Sequence, residues 1–176
     1  MEIRYGMAAL STLVLIFAMT PAMAADRDFI ILNVGLSDVD DFDEETIEGS
    51  IEYTSRRTFF GNGSRFSGVG PLLGVTVTGK GAVFAYAGIY GDYHLGKHRF
   101  WVLRPEGGIG YFKPGDGKDL GGVFEIHGSL TFAYVFDNET RLGLTFSHIS
   151  NANTHSKNPS LDSVLLTYAF PIGPVF

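Results

Sequence analysis

Three residues near the C-terminal end of the chain combine the side chains needed for nucleophilic acyl chemistry. His148, Ser150 and, fourteen residues after the histidine, Asp162 lie within FSHISNANTHSKNPSLDSVLLTY, residues 146–168. A serine hydroxyl attacks an acyl carbonyl when a neighbouring base takes its proton. Imidazole serves as that base when a carboxylate fixes its tautomer and stabilises the imidazolium. Side chains two apart on an extended backbone point the same way, so His148 and Ser150 share a face if they sit on a strand. Asp162 joins them if the next strand returns antiparallel alongside.

The elements that would position these groups are long strands. From Thr46 to Thr54 the residues alternate strictly, with Ile47, Gly49, Ile51 and Tyr53 on one side and Glu48, Ser50, Glu52 and Thr54 on the other. From Val123 to Phe136 the even positions carry Phe124, Ile126, Leu130, Phe132, Tyr134 and Phe136, while the opposite face begins Glu125, His127, Ser129 and Thr131. Comparable stretches run over 29–36, 68–78, 82–93, 98–112, 141–149 and 161–172, which makes eight. Fourteen residues at about 3.3 Å each exceed the usual strand of a soluble sandwich and can cross an apolar band of about 25 Å with tilt. The expected fold is all-β, an eight-stranded antiparallel transmembrane β-barrel, with connections at 37–45, 79–81, 113–120 and 150–160 on one side. Those at 57–67, 94–97 and 137–139 fall on the other, and the long 57–67 connection has no explanation in the sequence.

A closed barrel also accounts for charges inside strands. Glu48, Glu52, Arg104, Glu106 and Glu125 would cost about 2–4 kcal/mol each facing lipid at the midplane, but can pair inside a narrow lumen. Arg104 is therefore expected to pair with at least one of these glutamates. His127 is expected inside beside Glu125, with its polar needs met. On the last two strands, His148 and Ser150 share a face with Leu142, Leu144 and Phe146, and Asp162 shares one with Val164, Leu166, Tyr168 and Phe170. All three polar residues are thus expected on the lipid side near the outer ends of adjacent strands.

The segment His148-Ile149-Ser150-Asn151-Ala152, with Asn158 and an acid fourteen residues beyond the histidine, resembles the motif of the outer-membrane lipid A 3-O-deacylases, the PagL family. The motif covers residues 146–170, and the rest of the likeness is barrel architecture. The resemblance implies a bilayer-facing triad in which Ser150 is the nucleophile, His148 the base and then the acid, and Asp162 the orienting carboxylate. It implies that Asn151 contributes to the oxyanion hole through its side chain or backbone. It further implies that Leu144, Phe146, Val164 and Leu166 hold an acyl chain of lipid A. Asp162 departs from the family's Glu by one methylene, so the strands must approach closely for it to reach the imidazole. A non-enzymatic structural barrel, or a phospholipase or acyltransferase using the same residues, are the competing readings.

Composition bounds the partners. Arg4, the apolar run 7–19 and Ala22-Met23-Ala24 read as a secretory signal over 1–24, leaving 25–176 as the barrel. The net charge of −6 and the lack of a basic stripe argue against a nucleic-acid partner. With zero Cys, stability must come from packing or sheet closure. The expected partners are lipopolysaccharide and other outer-membrane lipids, with monomer and homodimer both open. No cofactor or metal is expected: the acidic run 37–46 lacks calcium-loop spacing and reads as a solvated loop. His94 and His98 do not converge on strand backbone, and His155 is placed in the loop after the motif. The terminal Phe176 fits a bacterial outer-membrane sorting signature.

Overall fold

The computed structural model describes residues 27–40, 45–63 and 65–175. The expected signal segment and Phe176 lie outside the described residues. The chain forms eight antiparallel strands: β1 Asp28–Ser37, β2 Thr46–Thr54, β3 Phe66–Thr78, β4 Val83–Leu95, β5 Trp101–Lys113, β6 Phe124–Val135, β7 Arg141–Ser150 and β8 Ser160–Ile172. Each pairs with its sequence neighbour, and β1 closes on β8 from Asp28↔Ile172 to Ser37↔Ser163. Closure leaves no sheet edge, which is how a chain without disulfides can satisfy its backbone groups across a bilayer.

The outward faces carry an apolar band that includes Leu32, Val34, Ile51, Leu73, Val75, Ile109, Leu130 and Leu144, all exposed. Aromatic residues mark both ends. Trp101 stacks on Phe132 at 4.9 Å with an edge-on contact to Tyr134 at one end, and Tyr111 meets Phe124 at 6.4 Å at the other. Phe124 and Tyr134 stand some ten residues apart on β6. That is about 33 Å along the strand and about 25 Å along the axis at a tilt of roughly 40°, the height of a membrane-spanning apolar band.

The interior has two zones. Phe84, Tyr86, Phe112, Leu120, Ile149 and Leu161 belong to an apolar cluster that fills the end nearest residues 148–162. Phe84 and Tyr86 stack at 4.9 Å. Gly74 makes room for this plug, since a Cβ there would stand 2.3 Å from the Tyr86 ring. Towards the other end lies an ion cluster. Arg104 grips Asp92 with both arms, at 2.6 and 2.9 Å, and Arg141 reaches the same carboxylate at 2.8 Å. The guanidiniums lie over the rings of Tyr90 and Phe29 at 4.4 and 4.3 Å. Arg104 does face inward and meets Glu106, at 3.9 Å, but its principal partner is Asp92, which the strand pattern did not single out.

Two sequence expectations are corrected inside the barrel. His127 is buried against Tyr86, ring centres 4.6 Å apart, and its Nδ1 has no hydrogen-bond partner, so its polar needs are only partly met. Asp38, read as part of a solvated loop, is 2% exposed and forms an ion pair with Lys118 at 2.5 Å. The 57–67 connection also finds its reason. It folds back on β3 through paired bonds between Phe59 and Val69, both 2.8 Å, with Thr58 Oγ1 donating to Ser67 O at 2.6 Å. Gly68 permits the turn, with φ of 100° and Phe59 O only 2.5 Å from where a Cβ would stand.

Candidate active site

The register of β7 against β8 decides which side chains meet. His148 pairs directly with Asp162, Ser150 with Ser160, and Ile149 between them with Leu161. Ile149 and Leu161 are 2% and 3% exposed and belong to the internal apolar cluster. Their burial fixes the phase of both strands, because a slip of one residue would exchange the two faces. Holding Ile149 and Leu161 inside therefore holds His148, Ser150, Ser160 and Asp162 outside.

Directly opposed residues place their Cβ atoms about 4.5–5.5 Å apart. Asp162 Oδ1 consequently reaches His148 Nδ1 at 2.8 Å, and His148 Nε2 lies 3.0 Å from Ser150 Oγ. The shorter carboxylate bridges the gap without any departure from regular pairing. The second carboxylate oxygen, Oδ2, accepts a hydrogen bond from Ser160 Oγ at 2.8 Å. Four polar side chains thus form one continuous chain: hydroxyl, carboxylate, imidazole, hydroxyl. Nδ1–H donating to Asp162 leaves Nε2 with its lone pair towards Ser150, the tautomer a general base requires. His148 is exposed, while Ser150 is 7% exposed although it belongs to the outward row.

Loops brace the β8 side. Val39 N donates to Asp162 O at 3.1 Å, and Lys118 Nζ donates to Ser160 O at 3.2 Å while holding Asp38. Ser160 stands two residues before Asp162 and shares its face, so strand period could have found it. The Lys118–Asp38 brace joins two loops with no local signal in the sequence.

Of the two routes expected for Asn151, side chain or backbone, the side chain is engaged elsewhere. Its side chain is buried at 1% exposure, and its Nδ2 donates both protons, to Leu120 O at 2.6 Å and Lys157 O at 2.7 Å. It ties the loop after β7 to the loop before β6. The side-chain route to an oxyanion hole is thereby closed, because no proton remains to donate. His155 lies in the same exposed loop beside Thr154 and over Gly122. Leu144, Phe146, Val164 and Leu166 are all exposed on the outer face, and the pairs Phe146↔Val164 and Leu144↔Leu166 make them one patch below the His148–Asp162 row. No group of three or more metal-ligating side chains exists among the described residues.

Comparison with known proteins adds to this geometry. The family described as lipid A 3-O-deacylase (PagL) matches residues 48–171. The lipid A deacylase PagL of Bordetella bronchiseptica is 36% identical over 53 residues, which are 30% of this chain and 30% of that protein. Less than a third of that relative's length is therefore covered. The crystal structure of the outer membrane enzyme PagL superposes with a TM-score of 0.65 at 19% identity, covering 82% of this chain and 99% of the other. A barrel from the de novo design of transmembrane beta-barrels gives a TM-score of 0.55 at 13% identity, over 85% and 100%. These two structural likenesses bear on fold alone.

Proposed function

The chain belongs to the lipid A 3-O-deacylase (PagL) family, and from that membership we propose that it is a serine esterase that hydrolyses the 3-O-linked acyl chain of lipid A in the outer leaflet of the outer membrane. The observation that carries this reading is the unbroken hydrogen-bond chain from Asp162 through His148 to Ser150 on the lipid-facing side of the barrel.

In the proposed reaction Ser150 Oγ bonds to the ester carbonyl carbon as its proton passes to His148 Nε2. The tetrahedral intermediate expels the sugar oxygen, which takes that proton back from Nε2. Water then attacks the acyl-serine with His148 again as base, releasing the fatty acid and restoring Ser150. Asp162 keeps the imidazole in its tautomer and offsets the positive charge at each stage. With the Asn151 side chain engaged elsewhere, we assign oxyanion stabilisation to backbone N–H groups of the turn that begins at Asn151.

Depth supports the choice of substrate. Ser150 pairs with Ile126, two residues inward of the aromatic Phe124. That is about 5 Å below the aromatic belt at a tilt of roughly 40°, close to where acyl esters begin beneath a sugar headgroup. A lipid diffusing laterally would meet the triad without leaving the membrane, with Leu144, Phe146, Val164 and Leu166 against its hydrocarbon.

The test is mass spectrometry of lipid A from cells expressing the chain and from cells lacking it. Loss of one hydroxyacyl chain with the protein present is expected. Unchanged lipid A in a membrane that carries the ester would defeat the proposal, and released phospholipid chains would reassign the enzyme as a phospholipase.

Ser160 should act through Asp162. Its hydroxyl fixes the carboxylate that in turn fixes His148, and hydrogen bonds to charged groups are worth about 1.5–3 kcal/mol. Ser160→Ala is expected to lower kcat about tenfold with little change in KM, and Ser160→Thr to restore most of it. Equal kcat in Ser160→Ala and the parent would remove Ser160 from the mechanism.

A further inference from the structure

A hollow opens on the outer face of the barrel towards the end away from the triad. β2 leaves the triad end at Thr46 and reaches the other at Thr54, and β2, β3 and β4 form the wall across the barrel from β7 and β8. There an outward row crosses the three strands through the pairs Tyr53↔Leu73 and Leu73↔Ala87. One step nearer the strand ends, Ser55 N donates to Pro71 O at 3.1 Å. The short side chains at 55, 71 and 87 leave a hollow of about 420 Å³, walled by Tyr53 and Leu73, with Arg57 at its mouth. Small-molecule sites fall in the range of about 300–1,000 Å³.

The Tyr53 wall is held in place. Its hydroxyl donates to Asp28 Oδ2 at 2.7 Å, and the same carboxylate accepts from Arg56 N at 2.8 Å and Val175 N at 2.7 Å. Asp28 is buried with its charge met by these three donors. Arg57 is exposed, and among the described residues no carboxylate forms a salt bridge with it. The connection 55–65 carries Arg56, Arg57 and Arg65 and no acidic residue. Phe59 and Phe60, both exposed, follow Arg57 by two and three residues. Aromatic rings close to cations mark the level of lipid headgroups.

The hollow is thus cationic at its mouth and apolar along its floor. A soluble anion would leave the floor over Pro71 and Ala87 uncovered, and an uncharged lipid would leave the guanidinium unanswered. We propose that the hollow binds one anionic glycerophospholipid of the leaflet opposite the triad, with its phosphodiester on Arg57 and one acyl chain over Pro71 and Ala87 against Leu73. Guanidinium and phosphate meet through two parallel hydrogen bonds, and a net negative headgroup adds attraction to the basic connection. This site goes beyond the esterase reading, since it shares no residue with His148, Ser150 and Asp162 and does not depend on which ester is cut.

The full-length protein in dodecyl maltoside would be titrated with dioleoyl phosphatidylglycerol or dioleoyl phosphatidylcholine, and bound lipid counted by native mass spectrometry. The parent is expected to retain one phosphatidylglycerol with an affinity about fivefold or more above that for phosphatidylcholine. Arg57→Gln should erase the preference by weakening phosphatidylglycerol alone, and Ala87→Leu, which fills the floor, should weaken both lipids by about fivefold. Ala87 is exposed on β4, so a leucine there leaves the lumen untouched, and heat-modifiable gel mobility checks that both variants fold. Equal retention of the two lipids by the parent, or unchanged retention in both variants, would overturn the site and leave ordinary lipid contact. Displacement of the bound lipid by excess inorganic phosphate would reduce it to a bare anion site and overturn the lipid assignment. Barrel dimers that form without lipid and vanish in Ala87→Leu would give the hollow to a second copy and overturn it as well. No hydrolysis is read, so failure of the esterase reading would leave these results standing.

Discussion

Ser150→Ala is expected to abolish deacylation, with turnover falling by about 10³ or more, while the barrel folds and inserts as before. The size of the effect follows from the nucleophile's role: without Oγ no acyl-enzyme forms, and what remains is the slow attack of water helped by binding and polarisation alone. The folding half of the expectation follows from placement. Ser150 ends β7 on the outer face and its hydroxyl bonds to His148 Nε2, whereas the strand is anchored by Ile149 inside. Residues that act as a unit lose their effects together, so adding Asp162→Ala to Ser150→Ala should cost little more, and Asp162→Asn alone should cost about 10³–10⁴ by favouring the wrong tautomer. Lipid A profiles at matched outer-membrane levels, with heat-modifiable gel mobility as the check on folding, would measure both. Intact turnover in Ser150→Ala would favour a barrel whose polar triplet is structural.

Asp92→Ala should be the most damaging change to stability, by about 3–5 kcal/mol. The carboxylate is 2% exposed and holds two guanidiniums, those of Arg104 and Arg141, at 3% and 5% exposure. Removing it leaves two buried cations facing each other, and breaking a buried pair costs far more than the pair itself contributes. Cation–π contacts with Tyr90 and Phe29 offset only part of this. Replacing all three charges together, with Asp92→Ala, Arg104→Met and Arg141→Leu, should recover part of the loss, because the two facing cations are gone and only Glu106, which Arg104 meets at 3.9 Å, loses a partner. Urea unfolding of the refolded barrel in lipid gives the comparison. If Asp92→Ala unfolds at the midpoint of the parent, the lumen cluster is not holding the non-catalytic end together. Lipid A deacylation should be nearly unaffected in molecules that do fold, since Ile149 and Leu161, which fix the phase of β7 and β8 at His148 and Asp162, are not among the partners of Asp92.

The residues state the architecture directly. A period of two, sustained over strands longer than a soluble sandwich uses, is a local property, so Ile47 to Tyr53 and Phe124 to Phe136 announce lipid-facing rows before any pairing is known. The same count puts His148, Ser150 and Asp162 on the outer faces of consecutive strands. Register is a different matter, because it depends on which residue stands opposite which. That His148 is level with Asp162, so that an aspartate suffices, follows from how Ile149 and Leu161 pack among Phe84, Phe112 and Leu120 inside. The Asn151 side chain shows the limit of motif reading: its type suited an oxyanion donor, but the Lys157 carbonyl of its own loop and the Leu120 carbonyl of the loop before β6 take its protons.

The sequence by itself determined the barrel, its strand number and the outward side of His148, Ser150 and Asp162, because alternation is written into each strand separately. Only the tertiary structure decided the partners: Asp92 between two arginines, Ser160 on Asp162, and Lys118 on Asp38. Each of these depends on side chains brought level by sheet closure and core packing, and distance along the chain carries no record of that.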